Sequence, residues 1–221
     1  RKRYYWHVKI WNSEDEESPW SGLSFFEMGL LHKEDWKTGW IGYPAGWTGR
    51  VLYFKRDFMV AREIRKARVY ISGLGYYEFF INGRKVGDHL LDPATSDYAK
   101  RIYYVTYDIT EYLEKENTFG VIVGPGWYGI PKLLLQAEIT YTDGTSDLIT
   151  TTQNLMENNW KVSTGPIITS SIYDGECCDA REEDPEWNLS TGQAVEWPVA
   201  VITDAPGGNM KSQEIEPIKV T

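Results

Sequence analysis

Residues 3–11 alternate, with Arg3, Tyr5, His7 and Lys9 set against Tyr4, Trp6, Val8 and Ile10. A period of two is the mark of a strand whose two faces meet different surroundings. A turn-rich, acidic stretch follows over 12–22, and a second short strand is predicted over 23–30, giving a hairpin with a long loop. Two strands alone are marginal in water, so the hairpin must lean on another part of the molecule. Residues 31–37 predict one helical turn. From Trp40 onward short strands are predicted over 51–58, 67–72, 76–81, 102–108, 118–123, 132–141, 148–152 and 199–203. Asn82-Gly83 and Asp143-Gly144 read as tight hairpin turns, because both tolerate the positive φ such turns demand. A capped helical turn is predicted over 108–113. Short strands at regular spacing, punctuated by Gly, Pro and Asn, predict an all-β fold, an antiparallel β-sandwich or jelly roll with under about 15% helix. The tail over 204–221 is polar, with Pro206-Gly207-Gly208 and Pro217, and reads as a linker towards a following domain.

Composition supports a sizeable core, since 42% of the 221 residues are hydrophobic and 14% aromatic. The 10 Trp and 15 Tyr suit pleated sheets and sugar-binding faces alike, so composition does not choose between them. Net charge is 23 − 32 = −9 with no basic cluster, which argues against nucleic acid and anionic membrane as partners. No run of apolar residues is long enough for a membrane-spanning helix. The acidic runs Glu14-Asp15-Glu16-Glu17 and 181–186 read as solvated loops. The chain opens inside a predicted strand, so it reads as a fragment with its true N-terminus, and any export signal, upstream.

Metal and cofactor chemistry finds little footing. His7, His32 and His89 lie far apart without ligand spacing, and read as ordinary surface or half-buried side chains. Cys177 and Cys178 are adjacent, where a mutual bridge would be strained, and read as one core thiol and one edge thiol on a strand. No nucleophile elbow, phosphate loop or dinucleotide fingerprint occurs, and no cofactor is expected. Gly73-Leu74-Gly75 precedes a strand and reads as a turn. The stretch carrying Asp174, Glu176, Asp179 and Arg181 concentrates carboxylates, and glycosidases use two. Its simpler reading is an arginine–carboxylate pair pinning a loop, because no deep helical cleft can be built from these strands.

Several motifs, taken in order, resemble the N-terminal region of bacterial α-L-rhamnosidases. Residues 3–11, Pro19-Trp20-Ser21 and 26–31 resemble the closing strands of a fibronectin type III-like domain. Asp35-Trp36-Lys37, Trp40-Ile41-Gly42, Gly73-Leu74-Gly75-Tyr76-Tyr77-Glu78 and 82–88 are similar to the β-sandwich that follows it. So are Tyr107-Asp108-Ile109-Thr110, Gly124-Pro125-Gly126-Trp127-Tyr128, Gly165-Pro166-Ile167, Tyr173-Asp174-Gly175-Glu176 and Asp179-Ala180-Arg181. The resemblance implies three parts: the end of the first domain over 1–31, an accessory sandwich over 32–203, and the linker over 204–221. It also implies a secreted or periplasmic parent whose catalytic residues lie in an absent C-terminal (α/α)6 barrel of the same polypeptide. No catalytic residue is then expected here.

Some members of that family hold rhamnose through calcium on an Asp-Asn pair before the central strand. The same position reads Leu74-Gly75 here, and the segment often written Pro-Gly-Trp-Thr reads Pro93-Ala94-Thr95-Ser96. Neither supplies a side-chain carboxylate or a Trp platform, so no calcium is expected at this strand entry. Three functions stay open: an accessory sandwich, a carbohydrate-binding module, and a self-sufficient glycosidase with two facing carboxyls. For the second, carbohydrate is the partner and Asp97, Tyr98, Trp127 and Tyr128 are the candidate sugar-binding residues.

Overall fold

The computed structural model describes residues 1–44, 49–152, 160–190 and 197–219. Among the described residues strands take up 47% and helix 4%, the latter as single turns at Lys33–Asp35, Thr110–Tyr112 and Ala180–Glu182. Two sheets face one another. The first has the order Lys161–Thr164, Leu52–Met59, Glu116–Val123, Tyr77–Ile81 and Arg84–Lys85, antiparallel throughout. The second has the order Val201–Ile202, Ile41–Gly42, Lys132–Tyr141, Ile64–Leu74, Arg101–Asp108 and Asn209–Ser212, with Ser146–Thr150 also paired to Lys132–Tyr141.

Alternation explains the core. Leu52, Phe54 and Phe58 point inward from one sheet to meet Val69, Ile71, Leu133, Leu135 and Ile139 from the other, all buried. The Ile64–Leu74 strand departs from alternation and is buried continuously from Ala67 to Leu74. Its outward residue Tyr70 is covered too, by Leu30, Trp36, Tyr104 and Met210, which form a second small core outside the sandwich. Residues 28–38 seal that face through Leu30 on Tyr104 and through Gln136, which accepts from Lys37 N–H at 2.7 Å and donates to the Asp35 carbonyl at 3.0 Å.

The N-terminal hairpin pairs Arg3–Trp6 with Ser24–Glu27. Its regular pairing stops at Trp6, short of the predicted 3–11, because serines take over the ladder: Ser21 and Ser18 hydroxyls accept from Val8 and Ile10 N–H. Glu27 ties the hairpin to the sandwich, contacting Lys66, Arg68 at 3.2 Å and Arg3 at 3.3 Å. Burial would raise the Glu27 carboxyl, but hydrogen bonds and charge from Lys66 and Arg68 outweigh it and hold that carboxyl below its ordinary value.

Three expectations need correction. The tail is not a free linker: Asn209–Ser212 runs parallel to Arg101–Asp108, and Ile218–Lys219 pairs with His89–Leu90. Cys177 and Cys178 are both exposed, because the hairpin of Ile167–Ser171 and Gly175–Cys178 is a separate two-stranded ribbon rather than part of the core. The two predicted tight turns also differ. Asn82 and Gly83 both have positive φ, at 51° and 77°, whereas at Asp143-Gly144 only Gly144 does, and the Asp143 carboxylate instead accepts from Thr145 N–H at 2.8 Å.

Candidate functional site

The loop over 124–131 carries the chain from the five-stranded sheet to the larger one. Gly129 N–H donates to the Pro125 carbonyl at 3.0 Å, closing a tight turn with Trp127 at its tip. The turn lies directly on Gly75, where an added Cβ would stand 1.8 Å from the Gly124 carbonyl oxygen and where φ is +111°. Only glycine fits that contact. A side chain there would push the Trp127 loop away.

Beside this loop, a shallow cleft of about 600 Å³ brings together Asp97, Tyr98, Trp127 and Tyr128, with Pro206 and Gly207 of the tail as its far wall. Trp127 is half exposed and meets Tyr173 edge-on at 5.4 Å. Tyr98 and Tyr128 also pack edge-on, with ring centroids 5.4 Å apart. Burial pushes the Tyr98 hydroxyl up from its ordinary value. Asp97 is largely occupied in its own turn: its carboxylate takes Lys100 Nζ at 2.9 Å and Ala99 N–H at 3.1 Å, and these bonds hold the carboxyl below its usual range. The cleft thus offers one exposed ring face and a fixed carboxylate at its rim. Rings of this kind stack on the apolar faces of sugars.

The second cluster behaves otherwise. Asp174 and Glu176 accept from Ser171 and Ser170 hydroxyls at 3.1 and 2.9 Å. Asp179 takes Arg181 Nε at 2.8 Å, but this pair sits within one turn and on the surface, so it shapes the turn rather than bridging elements. The loop is fastened to the sandwich by Arg50, which contacts Glu182 and donates to the Gly165 carbonyl at 2.6 Å. Sequence gave no signal for Arg50, since its partners are 115 and 132 residues away.

Sequence also missed a buried hub at Asp92. Its carboxylate meets His89 Nδ1 at 2.7 Å, Tyr107 Oη at 2.9 Å and Gln213 Nε2 at 3.1 Å, while Gln213 Oε1 accepts from Ala94 N–H at 2.7 Å. The hub fixes the segment leading to Asp97 and Tyr98 against the tail. Among the described residues no three His, Cys, Asp or Glu side chains cluster in a way that could hold a metal.

Comparison with known proteins gives this architecture a family. The profile described as "Alpha-L-rhamnosidase N-terminal domain" matches residues 62–221, and that described as "Rha78A-like, N-terminal immunoglobulin domain" matches residues 1–32. An α-L-rhamnosidase of Formosa agariphila is 37% identical over 98% of this chain, and one of Alteromonas sp. is 33% identical over 99%. The matches cover 27% and 26% of those proteins, so the chain spans about a quarter of their length. The solved α-L-rhamnosidase from "Dictyoglumus thermophilum" superposes with a TM-score of 0.85 at 37% identity, over 98% of this chain and 26% of that one. The first profile alone takes in well over half of the residues, and the two-sheet sandwich is the architecture of these relatives. The chain belongs to the α-L-rhamnosidase N-terminal domain family.

Proposed function

We propose that this chain is a non-catalytic, accessory β-sandwich of a longer, secreted or periplasmic α-L-rhamnosidase, and that it supports an (α/α)6 catalytic domain in the same polypeptide. One observation carries this reading: the chain matches only about a quarter of its relatives' length, yet that quarter already closes a complete core between two sheets. A glycosidase needs a facing pair of carboxylates, whereas in the acidic loop Glu176 accepts from the Ser170 hydroxyl and Asp179 from Arg181 within its own turn. The purified chain is expected to leave an aryl α-L-rhamnoside intact. Turnover that disappears with Glu176→Gln would sink the proposal.

A second reading is favoured by the cleft at Trp127: binding of rhamnose-containing glycans. The half-exposed Trp127 ring, with Asp97, Tyr98 and Tyr128 around it, supports it. Titration calorimetry with L-rhamnose and rhamnosides, with and without calcium, tests it. At best millimolar affinity is expected, about −4 kcal/mol, lost in Trp127→Ala and indifferent to calcium. No heat with any rhamnoside would remove this reading and leave the first standing.

A further inference from the structure

A groove of about 560 Å³ lies across the outer face of the five-stranded sheet. Its floor is Ile122 and Glu78, cross-strand partners on adjacent strands. Ile172, at the tip of the Ile167–Ser171/Gly175–Cys178 hairpin, makes one wall, and Leu91 with Ile218 makes the other. Each of these three wall residues is about half exposed. Leu91 is also held at φ 55°, a left-handed conformation that a leucine rarely adopts, and the backbone there presents its side chain to the groove. Uncovered aliphatic surface around a concave site marks an interface rather than bare surface.

The lining decides what kind of occupant fits. Sugar faces call for flat rings; of the two tyrosines in the lining Tyr77 is buried and Tyr76 is engaged with Thr95 through its hydroxyl, whereas the exposed walls are branched aliphatics, which suit the side chains of a polypeptide. Glu78 gives Oε1 to Lys85 and Glu176 gives Oε1 to Ser170, leaving the second oxygen of each available to a cation from outside. The known relatives are nearly four times as long as this chain, and Ile218–Lys219 forms the rim, so in them the following polypeptide emerges beside the groove.

We propose that the groove seats a segment from the remainder of a longer rhamnosidase polypeptide, which places an aliphatic side chain between Leu91, Ile172 and Ile218 and a lysine or arginine against Glu78 and Glu176. This rests on the accessory reading above and names the surface through which support is given.

A chimera tests it: the D. thermophilum rhamnosidase with its matching quarter replaced by this chain, its fold verified by activity on an aryl α-L-rhamnoside. In a background of Cys177→Ser and Cys178→Ser, a Leu91→Cys thiol should be alkylated at least tenfold more slowly in the chimera than in the isolated chain. Equal rates in a chimera that melts as one unit would overturn the groove and spare the accessory reading. A sandwich that melts in the chimera at its isolated temperature would overturn both. If the chimera is not recovered folded, the isolated Leu91→Cys chain titrated with the remaining three quarters of that enzyme gives the same readout. Slowed alkylation supports the groove, and an unchanged rate at saturation refutes it.

Discussion

The Tyr104 hydroxyl bonds Leu30 twice, accepting from its N–H at 3.0 Å and donating to its carbonyl at 2.8 Å. One side chain thereby satisfies both backbone groups of a buried residue that has no strand partner. Tyr104→Phe keeps the ring and orphans both groups, which costs about 1–3 kcal/mol. Chemical denaturation should show a lowered midpoint at unchanged slope, with hydrogen exchange rising first at Leu30. A loss confined to a few tenths of that range would show that water replaces the hydroxyl.

Acid should release the N-terminal hairpin before the sandwich unfolds. Glu27 is held below its ordinary value, so its contribution is present above the unfolded carboxyl's pKa and is lost as pH falls through the lowered, folded one. Glu27→Gln should expose the hairpin to protease already at neutral pH, at a cost of about 1 kcal/mol. Identical cleavage of both forms across the acid range would contradict this.

Alkali acts through tyrosines. Burial pushes Tyr53 and Tyr70 up to about 12, and Tyr77 and Tyr107 in the same direction. In the unfolded chain tyrosine ionises near about 10. Above that pH the unfolded chain binds fewer protons than the folded one, so stability is full below it and falls as pH rises towards 12. Urea midpoints that stay level from about pH 9 to about pH 11 would refute the assignment.

Arg56 points into the sandwich with no carboxylate partner among the described residues; it donates to the Thr150 carbonyl, and its Nε is unpaired. Desolvation alone brings its pKa down to about 10. Arg56→Met removes the buried charge, and Thr150 keeps Trp160 Nε1 as a donor at 3.1 Å. Stability at neutral pH should hold or rise by about 1–3 kcal/mol. A clear loss would mean that the guanidinium stem packs better than a thioether does.

Gly75→Asn should be among the most damaging single changes outside the sandwich core, because Gly75 is buried under the 124–131 loop. The new Cβ meets backbone, not a mobile side chain, so the Trp127 turn must move. A loss of about 2–4 kcal/mol is expected, together with altered Trp127 fluorescence. An unperturbed spectrum would show that the loop yields freely.

Much of the fold was legible because alternation is a local signal. The strand Lys132–Tyr141 falls on its predicted limits, and the Asn82-Gly83 turn has both residues at positive φ. What stayed hidden depends on distant partners. Asn209–Ser212 is four residues long, three of them polar, and is a strand only because Arg101–Asp108 leaves an edge open to it, with Met210 reaching the small outer core. Gly175–Cys178 is exposed at every position and carries no alternation. For the cleft, Trp127-Tyr128 was readable as an aromatic pair at a glycine-rich turn, whereas the wall from Pro206 and Gly207 needed the tail to return. The bonds of Arg50, and those of Asp92 to Tyr107 and Gln213, are made across the sequence, and no residue pattern announces them.

The parallel edge strand also sets how the domain bears load. The Leu30 segment and the Asn209–Ser212 strand both grip Arg101–Asp108, one through Tyr104 and the other through the ladder alongside it. Tension between the hairpin and the Asn209–Ser212 strand thus has a short route through Arg101–Asp108, beside the one through Glu27 on Lys66 and Arg68. The tail's ladder bonds lie across its own direction and would be strained together in shear rather than opened one at a time. Pulled from its two ends, the domain would therefore give first at the two-residue pairing of Ile218–Lys219 with His89–Leu90, and then act as a stiff coupling held at the seam beside Tyr104.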